Sequence, residues 1–80
     1  MTTLRLEYYA QLREQAGTGA EQVRTEAASL RELYAELAAR HGFSLPAEQL
    51  KVAVNTQFSE WERPLADGDT VVFIPPVAGG

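Results

Sequence analysis

The sequence predicts an α+β domain of two layers, one main helix packed on one face of a small sheet. Three observations predict it. Apolar residues alternate with period two from Thr3 to Tyr9 and again from Leu50 to Asn55, as half-buried strands require. A capped apolar stripe of helical spacing runs from Ser29 to Gly42. The whole chain is 80 residues, room for a single core. It is 45% hydrophobic and 22% charged, an ordinary globular composition, and it has no cysteine. Without disulfides, a core of this size leaves roughly 3–5 kcal/mol of net stability.

Taken in order, Leu4, Leu6 and Tyr8 share one face of the first strand, and Arg5, Glu7 and Tyr9 the other, which puts Tyr9 on the polar side. The segment AQLREQAG is rich in helix formers and closes on Gly17, so a short helical turn leads into a Gly-Thr-Gly bend. A weaker strand follows around Val23 and Thr25, and its low apolar content suits an edge. Ser29 with Glu32 three residues on is a capping box, in which each side chain satisfies the other's orphan backbone donor. Leu30, Leu33, Tyr34, Leu37, Ala38 and His41 then form one stripe, and Gly42 supplies the left-handed stop. After Leu45-Pro46, Leu50, Val52 and Val54 point inward from a third strand. Phe58 and Trp61 are expected in a polar loop, Asp67-Gly68-Asp69 in a turn, and TVVFI in a last strand that Pro75 ends. The first and last strands are the most apolar, so they are expected side by side in the middle of the sheet.

The net charge of −4, with acids spread along the chain, provides no basic stripe for phosphates, so nucleic acid is not an expected ligand. The start MTTLRLEYYA lacks a leader pattern and no apolar run approaches a membrane span; the expectation is a cytoplasmic protein with no membrane partner. His41 sits where an imidazolium suits a helix C-terminus, and no nucleophile pattern accompanies it. Lys51, the one lysine, lies on the outward side of its strand. The pairs Glu60 with Glu62 and Asp67 with Asp69 lack the spacing of a calcium loop and any His or Cys companions, so no metal site is expected. No phosphate-loop pattern occurs either. The body carries no autonomous active site.

The tail is different. Pro75 and Pro76 remove two backbone donors and end strand pairing, launching the chain outward as a stiff stalk. Val77 and Ala78 are small. Gly79 and Gly80 lack Cβ atoms, so the terminal carbonyl can enter a narrow channel and be approached from any side. At about 3.3 Å per extended residue, six residues reach roughly 20 Å. The α-carboxylate of Gly80 is a dead electrophile until activated, for instance as an acyl-adenylate. Residues 1–74 therefore read as the domain and 75–80 as a flexible tail.

Three stretches carry a resemblance: Tyr9-Ala10-Gln11-Leu12-Arg13-Glu14, Val52-Ala53-Val54-Asn55, and Pro64 to Val71 running into Ile74-Pro75-Pro76-Val77-Ala78-Gly79-Gly80. Through them the chain resembles the MoaD family, small subunits of molybdopterin synthase in the ubiquitin-like β-grasp superfamily, over nearly its whole length. It departs at Tyr8-Tyr9, where many relatives carry phenylalanines. The resemblance implies a β-grasp fold with a mixed sheet. It also implies that an E1-like, MoeB-like enzyme uses ATP to adenylate Gly80, which becomes a thiocarboxylate, while this chain binds no cofactor itself. The tail then enters a MoaE-like large subunit, in a complex of two large and two small subunits, and its sulfur builds the dithiolene of molybdopterin. A carrier without cysteine must hold sulfur elsewhere than on a side chain, and an acyl terminus is available.

A docking surface is expected with it. Tyr9, Phe58 and one of Phe73 or Ile74 are the outward apolar candidates, the last strand being apolar at both parities, and they join Pro75, Pro76, Val77 and Ala78 as partner-binding residues. Three rivals use the same residues. They are a ubiquitin-like modifier that forms isopeptide bonds, a sulfur carrier for thiamine or tRNA thiolation, and an interaction domain with an idle tail.

Overall fold

Thr2–Tyr8 (β1) pairs antiparallel with Ala20–Thr25 (β2) and parallel with Thr70–Ile74 (β5). On its other side β5 runs antiparallel to Lys51–Val54 (β3), which in turn pairs with Gln57–Ser59 (β4). The sheet order is β2-β1-β5-β3-β4, with the two most apolar strands adjacent and β2 at an edge, as their composition implies. This computed structural model describes residues 1–76. Val77, Ala78, Gly79 and Gly80 lie outside the described residues, and with them most of the expected tail.

Leu30–His41 (α2) covers one face of this mixed sheet. Leu30, Leu33 and Leu37 are fully buried against Leu4, Leu6, Val52, Val54, Val71 and Phe73. Burying each such side chain is worth about 1.5–3 kcal/mol, so this seam dominates the stability of the domain. The capping box is present with one shift. Ser29 Oγ accepts from the Glu32 N–H at 3.3 Å, but Glu32 Oε1 accepts from the N–H of Ala28, one residue before the cap. The loop that follows β4 completes the helix start from outside, for the Leu30 and Arg31 N–H groups donate to the carbonyls of Arg63 and Trp61 at 3.2 and 3.0 Å. Two orphan donors of the first turn are thereby satisfied across thirty or more residues of chain.

The short helical segment expected over AQLREQA is present as a seven-residue helix, Ala10–Ala16 (α1), closed by Gly17 at φ 78°. One expectation needs correction. Phe58 stands in a strand, not a loop: β3 and β4 form a hairpin through Asn55 and Thr56, both at positive φ (51° and 75°). Positive φ at both central residues fits the twist of a two-residue hairpin and usually calls for Asn-Gly. Thr56 gave no such signal, and a β-branched residue there stores strain. Asn55 holds the turn in place, donating from Nδ2 to Asp69 Oδ1 at 2.9 Å and accepting the Thr70 N–H at 3.0 Å. The Asp67-Gly68-Asp69 turn is confirmed and is also a clasp, because Asp67 Oδ1 accepts the Thr3 N–H at 2.7 Å.

Behind the sheet a polar cluster ties three elements together. Tyr8 in β1 donates its hydroxyl to Glu21 Oε2 in β2 at 2.5 Å, and His41 Nε2 at the end of α2 meets the same oxygen at 2.7 Å. Burial pushes the Tyr8 hydroxyl up, and its bond to Glu21 adds to that, so it stays a donor. Burial alone would raise Glu21, but hydrogen bonds from Tyr8 and His41, with the charges of His41 and Arg40, outweigh it and hold the carboxyl below its ordinary 4.5. His41 thus ends the helix and also packs edge-on against Tyr8, its ring centroid 5.9 Å away.

Two outcomes follow. A carboxyl depressed in the folded state stabilises above its unfolded value and loses that contribution as pH falls through the folded one. Urea midpoints measured at descending pH are expected to show wild type more stable than Glu21→Gln near neutrality and the gap closing below 4.5. Thr56→Gly is expected to raise stability by about 1 kcal/mol in the same assay, since relief of the left-handed strain exceeds the entropy a glycine adds to the unfolded chain.

Candidate functional site

The site is the end of the sheet where β5 runs out. Tyr8 is paired with Phe73 and Lys51 with Ile74, so the chain leaves between the end of β1 and the beginning of β3. A proline has no N–H for a ladder, and in a strand paired on both sides two of them stop it outright. Pro75 is half-buried and Pro76 exposed. A shallow cavity of about 290 Å³, lined by Gln49, Lys51, Ile74, Pro75 and Pro76, lies alongside this root. On the far side Ala10 takes φ 51°, a conformation that costs a non-glycine residue about 1–2 kcal/mol, and turns the chain off β1 immediately after Tyr9.

Strand alternation sorts the candidates between two faces. Val71 and Phe73 point under α2, while Val72 and Ile74 point to the open face. Phe73 is therefore not a docking residue. It is fully buried, stacked on Trp61 at 5.9 Å and edge-on to Tyr34 at 5.1 Å, where it is part of the core. Periodicity could not choose between Phe73 and Ile74 because both parities of TVVFI are apolar; the register with Leu6 and Tyr8 chooses. Ile74 is half-buried on the open side.

Phe58 does reach that open face. It stands opposite Ala53, which stands opposite Val72, so three side chains form a row across β4, β3 and β5, with Ile74 in the next row. Phe58 is 73% exposed. Lys51 is exposed, and its Nζ lies 5.7 Å from the centre of the Phe58 ring. Tyr9, 50% exposed, joins the same face at the other side, donating its hydroxyl to Glu7 Oε1 at 3.3 Å. Val72 and Ala53 complete the row and were absent from the sequence-derived candidates. Their signal was the apolar parity of the last strand, legible only once β3 is known to flank it.

The described residues bring together a root, a stripe and no reactive group. No three His, Cys, Asp or Glu side chains among them stand close enough to hold a metal ion, and no buried side-chain polar atom among them lacks a partner. The arrangement can present a surface and aim a chain end.

The family model described as the ThiS family matches residues 6–80. The chain is 38% identical over 76 residues to the molybdopterin synthase sulfur carrier subunit of Escherichia coli (strain K12), covering 91% of this chain and 94% of that protein. It is 33% identical to the protein of the same description from Haemophilus influenzae, over the same shares. Among solved structures, one from Pyrococcus furiosus described as molybdopterin converting factor, subunit 1, matches with a TM-score of 0.79 and 29% identity, over 96% of this chain and 100% of that one. The shared architecture is the ubiquitin-like β-grasp.

The division of faces has a stability signature. Phe58→Ala is expected to move the urea midpoint by no more than about 0.5 kcal/mol, whereas Phe73→Ala is expected to cost about 3–5 kcal/mol and leave much of the chain unfolded. Far-ultraviolet circular dichroism with urea titration reads both.

Proposed function

The chain belongs to the ThiS family, and we propose that it is the sulfur-carrier subunit of molybdopterin synthase. The observation that carries this is the 38% identity to a protein of that function across 91% of the chain, within a family match that runs through Gly80. The placement of a two-proline stalk at the end of a central strand supports it.

In this reading the carboxylate of Gly80 attacks the α-phosphorus of ATP within an E1-like activating enzyme, and pyrophosphate leaves. Hydrosulfide, or a donor that delivers sulfur at that oxidation level, then displaces AMP from the acyl carbon, and a thiocarboxylate remains. ATP belongs to the activating enzyme and not to this chain, which holds no cofactor. Gly79, with no Cβ, lets the reactive end pass a narrow channel, and Val77 and Ala78 keep the stalk thin. The loaded tail enters the active site of the large subunit and delivers sulfur to the dithiolene of molybdopterin. The assembly contains two large and two small subunits. Tyr9, Phe58, Ile74 and Pro75 seat the carrier on its partner, with Val72 added to them. The body supplies recognition and a fixed exit direction, and the partner supplies the catalytic side chains.

Intact-mass measurement after incubation with ATP, an activating enzyme and a sulfur donor tests the reading. The expected product is the chain with one oxygen replaced by sulfur, located at Gly80 by fragmentation and abolished by deletion of Gly79-Gly80. Ladders of adducts on other proteins instead would assign the chain as a modifier. Full synthase activity from the deleted chain would overturn the reading.

A further inference from the structure

Resting on the reading of the chain as the smaller subunit of a synthase, we infer that its open sheet face is a positively charged docking surface, made for a large subunit that surrounds an apolar centre with acidic side chains. Register places Arg24 beside Thr3, Arg5 beside Thr70, and Lys51 beside Ile74, all on the face away from α2. Against these three cations the strands put a single acid on that face, Glu7. Glu7 is already engaged, by Arg5 Nε at 3.7 Å and by the Tyr9 hydroxyl. The whole chain carries −4, so the helical layer and the loops hold more than all of the net negative charge.

Of the cations off that face, Arg13 and Arg63 stand in no ion pair among the described residues, and two are paired. Arg31 pairs with Glu62 at 2.9 Å and with Glu48 at 3.8 Å, and Arg40 pairs with Glu36 at 3.4 Å. Among the described residues Arg24 and Lys51 stand in no such pair. Lys51 stands at the tail root over Phe58, and Arg5 and Arg24 lie toward the opposite end of the face. The row of Phe58, Ala53 and Val72 with Ile74 lies between them. An apolar centre with a charged rim is the usual anatomy of a specific interface, and rim charges of one sign steer encounter with a surface of the other. Three cations scattered around an apolar stripe do not track a phosphate backbone, which favours a protein partner.

Stopped-flow association of the full chain with its large subunit tests this. Arg24→Glu and Lys51→Glu are each expected to slow association roughly threefold or more at low salt. The rates are expected to converge on wild type near 1 M salt, where screening reaches about 3 Å. Arg40→Glu makes the same change of charge on the helical layer and, with its thermal transition checked, is expected to leave the rate within about twofold. Equal slowing by all three variants, or none by any, overturns the inference while leaving the subunit reading intact. Self-association of the chain in sedimentation, relieved by Lys51→Glu, would assign the face to a second copy and overturn it too. A wild-type chain that does not bind the large subunit at all sinks both.

Discussion

The parallel pairing of β1 with β5 is the constraint on which the rest depends. It brings together residues that are 65 positions apart, Tyr8 and Phe73, and it puts the last strand between two others. A loop of that length costs entropy to close, but the cost grows only with the logarithm of length and is offset once by a ladder buried under α2. With β1 on one side and β3 on the other, β5 cannot slide or fray sideways. Where it stops, and in which direction the chain continues, are fixed by the body.

The same pairing decides which side of TVVFI faces which layer. A slip of one residue would exchange Phe73 with Ile74 and Val71 with Val72. The strand would tolerate either side in water, since all four are apolar, so its own sequence does not specify the register. Its neighbours do. Leu6 and Tyr8 on β1, and Val52 and Val54 on β3, must go under the helix because Arg5, Glu7 and Lys51 cannot. Tyr34 and Trp61 then close around Phe73, while Asn55 and Asp69 hold the start of β5 from the other end.

What was legible in the sequence was local. Alternation gave β1 and most of β3, with Leu50 buried just ahead of the strand; Ser29, Glu32 and Gly42 gave both ends of α2; and the apolar content gave the central pair of strands. What was not legible needed partners far along the chain. The hairpin at Asn55-Thr56 was hidden because Thr56 is a poor turn residue held in place by the surrounding contacts. Glu21 and His41 lie 20 positions apart and share no motif, yet they meet at 2.7 Å. The candidate site divides in the same way. Tyr9 could be read as outward from pattern alone, Phe58, Val72 and Ile74 only from the register, and the charge of the face only from all strands together.

A small domain with a margin of roughly 3–5 kcal/mol cannot host much strained or buried polar machinery without unfolding. The described residues fit that limit: no buried side-chain polar atom among them lacks a partner, and positive φ at non-glycine residues is confined to Ala10 at the start of α1 and to Asn55 and Thr56 in the β3–β4 turn. Under the proposed function the reaction takes place at the chain terminus and requires no core side chain to react. The demands on the body reduce to two, a stop at a fixed place and a surface that another protein recognises. Pro75 answers the first and, on our proposal, the open face the second, and both hang on one central strand.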